Sequence, residues 1–253
     1  NDAFDNIADQ TVTVTTTDDD GVGFTIVESS GDTSVDESAT TDSFTVVLDS
    51  EPVGDVVLDV SSGDTGEATV DKATLTFTAA NWDTPQTVTV TGVDDVTVDG
   101  SQNTTITVSI DADATDDNLY DAVGSQTLTA TTTDDDTAAF TIVESAGNTA
   151  VDESATTDTF TVVLDAQPLT DVVLTVVSGD TGEATVDLAT LTFTSANWDT
   201  AQTVTVTGVD DVTVDGPQTT TITVAIDDAN SDNAFDPVAD QTVSVTTTDN
   251  DVA

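Results

Sequence analysis

Three short acidic runs in this chain have the side chains needed to bind a metal ion. They are Asp18-Asp19-Asp20, Asp134-Asp135-Asp136 and Asp249-Asn250-Asp251. Two carboxylates ~4 Å apart repel by roughly 4 kcal/mol at an effective dielectric near 20, so acidic clusters without basic partners need a cation or strong solvation. Oxygen-only ligands on loops suit Ca²⁺, which accepts 6–8 oxygens, better than Mg²⁺, which requires tighter octahedral geometry. The chemistry indicated is therefore calcium ligation.

The composition excludes most other chemistry. The 253 residues contain 50 Asp and Glu against one basic residue, a formal charge of −49, and they contain no Cys, His or Met. Zinc, haem and iron–sulfur ligation and Ser–His or thiol catalysis therefore lack their residues. Nothing is available to neutralise phosphates, which argues against nucleic acid and against an anionic membrane surface. The carboxylates occur in crowds on loops without an aromatic-lined cleft, so we predict that the chain is not an enzyme.

The acidic runs close a long internal repeat. Residues 24–110 return as residues 140–226 at a constant offset of 116, with 71 of 87 aligned positions identical. A repeat of this length is a domain and not a solenoid turn. We predict two domains, 21–136 and 137–253, preceded by residues 1–20, which match the last strand of a repeat.

Apolar and polar residues alternate in short stretches, and no helical period is present. In Thr87-Val88-Thr89-Val90-Thr91 the valines point to one face, which is typical of a half-buried antiparallel strand. The first domain has about seven such strands, at 23–28, 43–49, 55–60, 68–78, 86–92, 103–110 and 125–133. The pattern predicts an all-β fold of tandem immunoglobulin-like antiparallel β-sandwiches.

The strand count predicts where the acidic loops meet. Successive antiparallel strands run between two ends of a sandwich, here named the entry pole and the exit pole for where the chain enters and leaves. The loops after the first, third and fifth strands lie at the exit pole with the acidic tail. Their carboxylates are Asp32, Asp36, Glu37, Asp64, Glu67, Asp94, Asp95 and Asp99. Glu28 closes the first strand at the same end, so sequence-distant acids are expected to converge there.

These residues resemble the Calx-beta family, and more closely its bacterial adhesin-type version. The family resemblance is carried by Glu28, by Gly92-Val-Asp-Asp-Val-Thr-Val-Asp-Gly100 and by Thr133-Asp-Asp-Asp136, and the likeness to the adhesin-type version by residues 77–95 and 116–120. It implies calcium ligands at Glu28, Asp64, Asp94, Asp95, Asp99 and Asp134 to Asp136. In the second domain the same positions are Glu144, Asp180, Asp210, Asp211, Asp215, Asp249 and Asp251, with neutral Asn250 as a departure. Asp18, Asp19 and Asp20 are candidates by equivalence with these tails.

We expect a structural spacer of an extracellular repeat protein, such as an adhesin, a surface filament or a biofilm matrix fibre. It would be secreted to the cell surface, with calcium at the domain ends stiffening the rod and neighbouring copies of the repeat as partners. Three alternatives stay open. The acids could serve only solvation in a high-salt organism, or the chain could be a ligand-binding adhesin domain. In the third alternative, residues 1–20 act as a donor strand that completes a neighbouring filament subunit.

Overall fold

The computed structural model describes residues 8–17 and 19–252. Residues 24–248 form two β-sandwiches of nine strands each. The first sandwich stacks two sheets, ordered β1-β3-β7-β5 and β2-β9-β8-β4-β6. Its strands are β1 (Phe24–Glu28), β2 (Thr33–Asp36), β3 (Thr41–Leu48), β4 (Val56–Ser62), β5 (Ala68–Val70), β6 (Thr74–Phe77), β7 (Gln86–Gly92), β8 (Gln102–Ile110) and β9 (Gln126–Thr133).

The second sandwich repeats this topology as β10-β12-β16-β14 and β11-β18-β17-β13-β15. Its strands are β10 (Phe140–Glu144), β11 (Thr149–Asp152), β12 (Thr157–Leu164), β13 (Val172–Ser178), β14 (Ala184–Val186), β15 (Thr190–Phe193), β16 (Gln202–Gly208), β17 (Gln218–Ile226) and β18 (Gln241–Thr248). All strand pairs are antiparallel except β2 with β9 and β11 with β18, which are parallel. The predicted fold class is confirmed. No helix among the described residues is long and apolar enough to cross a membrane.

Period-2 alternation builds the core. In β7, Val88 and Val90 are fully buried, while the alternating Thr87, Thr89 and Thr91 face outward. Each sandwich has its own core, and Phe44 and Phe77 of the first have Phe160 and Phe193 as counterparts in the second. Burial of apolar side chains at about 25 cal/mol per Å² is the main stabilising contribution.

Each sandwich has nine strands where the sequence predicts about seven. The difference comes from two features of the chain whose strands are too short to show a clear alternation of apolar and polar residues. The stretch predicted as one strand over 68–78 divides into β5 and β6, which belong to different sheets. Asp71 supports the crossover between them, since its Oδ1 accepts a hydrogen bond from the Thr89 N–H at 2.7 Å. The second feature is β2, four residues that run parallel to β9 toward the exit pole.

Residues 8–17 lie outside both pairs of sheets. They are exposed along their length, and Val12 and Val14 are 86% and 80% exposed. Residues 1–7 and Asp18 lie outside the described residues. That residues 1–20 are the last strand of a preceding or neighbouring repeat therefore stays a prediction.

The two sandwiches meet pole to pole. The loop after β7, residues 93–101, lies at the exit pole of the first sandwich, and residues 165–170 lie at the entry pole of the second. The Val98 N–H donates to the Gln167 carbonyl at 3.0 Å, and the Gln167 N–H donates to the Val96 carbonyl at 2.7 Å. The Thr97 hydroxyl adds a bond of 3.1 Å to Gln167 Oε1, and Val98 packs against the second core. We call this set of contacts the joint.

Candidate metal centre

Glu37 is the buried centre of the exit pole of the first sandwich. Strand β2 carries the chain four residues further toward this pole after β1 has ended, and Glu37 follows it directly. The Glu37 N–H donates to the Thr133 carbonyl at 3.1 Å, which fixes the turn to the end of β9. Gly92 ends β7 against this turn, and a Cβ at position 92 would collide with the Asp36 carbonyl. The backbone therefore packs too closely here for any residue except glycine.

Three carboxylates from distant segments meet at this point. Single oxygens of Glu37, Asp95 and Asp136 all lie within 4.8 Å of one another. Glu37 comes from the turn after β2, Asp95 from the loop after β7 and Asp136 from the tail after β9. This group is called site 1, and it gathers the oxygen-only ligands that a hard cation prefers.

Asp134 holds the loop and the tail of site 1 together. Its Oδ2 accepts hydrogen bonds from the N–H groups of Asp99 (3.1 Å) and Gly100 (2.7 Å), and its Oδ1 accepts one from the Asp136 N–H at 2.7 Å. Gly100 adopts a φ of +72°, a conformation that disfavours residues with a Cβ. Both side-chain oxygens of Asp134 thus accept hydrogen bonds from backbone N–H groups, and one of these bonds positions Asp136.

Within site 1 and next to it, four carboxylate oxygens are buried without a hydrogen-bond donor. They are Glu37 Oε2, Glu67 Oε2, Asp99 Oδ1 and Asp136 Oδ2. A buried polar atom without a partner costs about 1–3 kcal/mol, and more when it is charged. Among the described residues the one ion pair joins Lys72 to Asp71 at 3.1 Å, so no side chain compensates this charge. A bound divalent cation would do so.

The pKa values of these carboxylates also reflect their burial without a compensating cation. Burial, followed by repulsion from Asp134, raises the pKa of Glu37 to about 7. Burial is also the main cause that raises the pKa of Glu67, Asp99 and Asp136, with Asp99 and Asp95 adding repulsion at Glu67. Without a cation the pole therefore retains protons that ordinary carboxylates would release.

The second sandwich contains two acidic groups of the same kind. Site 2 is Glu153 with Asp249 and Asp251, the counterpart of site 1 at the tail. Site 3 is Glu183 with Asp211 and Asp215, and Glu67 with Asp95 and Asp99 are its counterparts in the first sandwich. Glu183 Oε2 and Asp251 Oδ2 are buried without a donor.

Charges at the second pole are arranged differently. Backbone N–H groups of Gly216 and Asp251 lower the pKa of Asp249, so this carboxylate stays ionised. The Asn250 N–H is the largest influence on Glu153 and lowers its pKa, but burial and repulsion from Asp249 together outweigh it and leave the pKa raised. Burial also raises the pKa of Asp251 and Glu183. The Asn250 amide contacts Asp210 Oδ1 at 3.5 Å, where Asp135 of the first tail would add a charge.

The structure brings together part of the ligand set inferred from the sequence. Members of sites 1 to 3 are Asp95, Asp136, Asp211, Asp215, Asp249 and Asp251. Asp94 and Asp135 lie close enough to raise the pKa of Asp136 by repulsion. Asp64 and Asp180 shape turns, since each accepts a hydrogen bond from a glycine N–H two residues on.

Other predicted ligands lie apart from these groups. Glu28 accepts a hydrogen bond from the Thr33 hydroxyl at 2.8 Å, and Glu144 accepts the same bond from Thr149. Thr33 and Thr149 are the first residues of β2 and β11, the short strands that run toward the exit poles. Glu28 and Glu144 therefore lie further from the exit poles than sites 1 and 2 do. Asp19 and Asp20 are exposed in the N-terminal segment and belong to none of the three groups, and Asp18 lies outside the described residues.

Sequence reasoning placed Glu37 and Glu67 at the exit pole but did not count them, or Glu153 and Glu183, as ligands. One signal distinguishes them. Glutamate is rare in this Asp-rich chain, and these residues recur at the same place in both repeats. The longer glutamate side chain reaches from the rim of the sandwich into the space between the loops.

Comparisons with known proteins give low similarity. No protein-family model and no curated protein match the chain. Among solved structures, calcium binding domain CBD12 of CALX1.1 is 14% identical, with a TM-score of 0.29, covering 79% of this chain and 80% of that one. Domains 4 and 5 of the S-layer protein SbsC are 16% identical, with a TM-score of 0.35, covering 90% and 98%. The MSP-domain protein SSP-19 of Caenorhabditis elegans is 15% identical over 42% and 98%, with a TM-score of 0.31. None of these matches assigns the chain to a family.

Proposed function

We propose that this chain is a structural spacer of an extracellular, cell-surface repeat protein, and that calcium bound at the exit poles stiffens it. One observation carries the proposal: carboxylate oxygens of Glu37, Glu67, Asp99 and Asp136 are buried at one pole with neither a donor nor a cation of the chain beside them. A protein that never met a divalent cation would be more stable with these groups neutral or exposed.

Calcium supplies the missing charge in this proposal. Glu37, Asp95 and Asp136 would hold one ion, with Asp134 keeping the tail in place. Glu67 and Asp99 would extend the oxygen set, as Glu183, Asp211 and Asp215 would in the second sandwich. Sites in extracellular modules bind calcium with dissociation constants of about 10⁻⁴–10⁻³ M, which is sufficient outside cells.

The joint gives this binding a mechanical consequence. The loop over 93–101 supplies Asp95 to site 1, and the next three residues, 96–98, form hydrogen bonds with Gln167 of the second sandwich. An ion that fixes this loop therefore fixes the surface on which the second sandwich rests. Without the ion, repulsion among the acids favours loop conformations that release the joint. We expect calcium to narrow the range of angles between the sandwiches.

Thermal melting with calcium and with chelator tests the proposal, together with small-angle scattering in both conditions. In 0.15 M NaCl, we expect calcium to raise the melting temperature by several degrees and to narrow the distance distribution. Magnesium at equal concentration is the control for ionic strength. If the melting temperatures with calcium and with chelator are equal, the calcium proposal fails and the acidic residues serve only to solvate the surface. If calcium raises the melting temperature but does not change the scattering profile, calcium binds the protein without stiffening it.

A further inference from the structure

The two repeats differ most in the loop at the entry pole, which in the second sandwich contributes to the joint. Residues 166–170 differ from their equivalents, 50–54, at four of five positions, although 71 of the 87 aligned positions are identical overall. One of the four differences replaces Glu51 by Gln167, the residue that bonds the first sandwich. Differences concentrated in one loop indicate that the two loops are built for different contacts.

The first sandwich holds its entry-pole loop with its own residues. The Tyr120 hydroxyl donates to the Ser50 carbonyl at 2.7 Å and lies 3.1 Å from the Ser50 hydroxyl. In the second sandwich the equivalent residues are Phe235 and Ala166, which have no hydroxyl groups, so these two bonds are lost. The loop over 165–170 therefore has to be held by other contacts.

Gln167 supplies those contacts in two directions. Its Nε2 donates to the Ser195 carbonyl of its own sandwich at 2.7 Å, and its Oε1 accepts from the Thr97 hydroxyl of the first sandwich at 3.1 Å. Its backbone exchanges the two bonds of the joint with Val96 and Val98. An amide side chain is suited to this position because it has a donor for one neighbour and an acceptor for the other.

We propose that Gln167 determines which surfaces can form the joint: an entry pole with glutamine at this position accepts the exit-pole loop over 96–98, and one with glutamate does not. A carboxylate has no donor for the Ser195 carbonyl, so two acceptors would face each other. It would also place a negative charge against Thr97, whose backbone N–H already donates to the Asp95 carboxylate at 2.6 Å. The glutamate at position 51 of the first repeat thus marks an entry pole of a different kind.

Charge makes a single residue decisive here. The main-chain bonds of the joint could form with any side chain at position 167. The exit pole, however, presents the carboxylates of Asp95, Asp99 and Asp136, and the one basic residue of the chain, Lys72, is paired with Asp71 elsewhere. A further carboxylate brought against this pole would lose water and be repelled, whereas an amide is neutral. This inference concerns which poles dock and not what binds within them, so it goes beyond the proposed function.

The spread of distances between the two sandwiches measures the joint. The chain has no cysteine of its own, so Thr105→Cys and Thr221→Cys provide one spin label each, at equivalent exposed positions of β8 and β17. Pulsed electron double resonance then gives the distribution of distances between the labels, with calcium and with chelator. Each variant is compared with the doubly labelled parent chain in the same solution, so the comparison does not require calcium to bind.

We expect Gln167→Glu to make the distribution about twice as wide as in the parent chain, because the docked arrangement is no longer favoured. Gln167→Ala removes both side-chain bonds without adding a charge and should give a smaller increase. A Gln167→Glu chain as narrow as the parent in both solutions would overturn the proposal, and so would a parent chain that is broad in both. Equal widths of the parent chain in calcium and in chelator would refute calcium stiffening alone.

Two matched variants control for the change itself. Glu51→Gln makes the reverse substitution at the exposed equivalent position of the first loop, and Gln10→Glu adds the same charge at an exposed position outside the joint. Neither should widen the distribution. If Gln10→Glu widens it as much as Gln167→Glu does, net charge is the cause and the proposal is wrong.

Amide hydrogen exchange gives a second readout at single residues. The N–H groups of Val98 and Gln167 both donate across the joint, so both should be protected in the parent chain. We expect Gln167→Glu to speed their exchange about tenfold, while the N–H of fully buried Val88 in β7 stays protected and shows that the first sandwich remains folded. Unchanged protection of Val98 in Gln167→Glu would contradict the proposal.

Discussion

The exit poles of the two sandwiches have nearly the same residues in different surroundings. At the first pole the loop over 93–101 is held between site 1 and the second sandwich, and burial raises the pKa of Glu37 to about 7. At the second pole the corresponding residues 209–216, identical to 93–100, contact no further sandwich among the described residues, and Val212 is 90% exposed. Glu37 and Glu153 are both 1% exposed, but the Asn250 N–H donates to Glu153 Oε2 at 3.1 Å while Glu37 Oε2 has no donor. Electrostatic strain at a carboxylate cluster therefore depends on the hydrogen-bond donors around it as well as on its own residues.

Matched substitutions of the two central glutamates should give the largest effect. Glu37→Gln removes a buried charge with a strongly raised pKa, so we expect a more stable metal-free protein and about tenfold weaker calcium binding at site 1. Glu153→Gln should give smaller changes in both, because the Asn250 N–H already donates to Glu153 Oε2 at 3.1 Å. Calorimetric titration and chelator melts measure the two quantities.

Exposed Asp83→Asn serves as the control for a simple change of net charge. If Glu37→Gln, Glu153→Gln and Asp83→Asn shift the melts equally, the two poles are not distinct sites.

The pH dependence should separate the metal-free and calcium-bound states. The folded pKa of Glu37 is about 7 against an ordinary 4.5, so between these values the folded state holds a proton that the unfolded state releases. Stability without metal should therefore fall as pH rises from about 4.5 to about 7 and then level off. With saturating calcium Glu37 is ionised in the folded and the unfolded state over that window, so stability should be nearly independent of pH there.

Urea unfolding at pH 5, 6, 7 and 8, with chelator and with calcium, measures both slopes. Glu37→Gln should flatten the slope of the metal-free protein. Parallel slopes in chelator and calcium would show that protons and calcium do not compete at this pole.

The smallest effect is expected from making the second tail equal to the first. Asn250→Asp adds a charge near Asp210, where the amide now lies at 3.5 Å. We expect a slightly less stable metal-free protein and a gain in calcium affinity at site 2 of a few-fold, read by calorimetric titration. The reverse change, Asp135→Asn, should weaken site 1 by a similar factor. A loss of affinity in Asn250→Asp would mean that Asn250 itself supports the site.

Much of the fold could be predicted because the alternation of apolar and polar residues marks the strands and their buried faces. Val88 and Val90 show their buried face in the sequence, and the return of each acidic loop to one pole follows from counting strands. The strand count missed β2 and merged β5 with β6, but it still placed the loops at the correct pole. The reason is that β2 runs in the same direction as β1, and β5 and β6 together cross the sandwich once. Prediction of the site was less complete, because β2 moves the pole four residues past Glu28 and brings Glu37 into the position expected for Glu28.

The sequence alone determined the repeat, the strand faces and the excess of carboxylates over cations, because these depend only on residue type and spacing. It also determined that residues 10–17 match the last strand of the second repeat at seven of eight positions. Only the tertiary structure decided which carboxylates lose their water. Desolvation depends on what packs above a side chain, and Glu37, which is 1% exposed, lies against the loop after β7 and the acidic tail after β9.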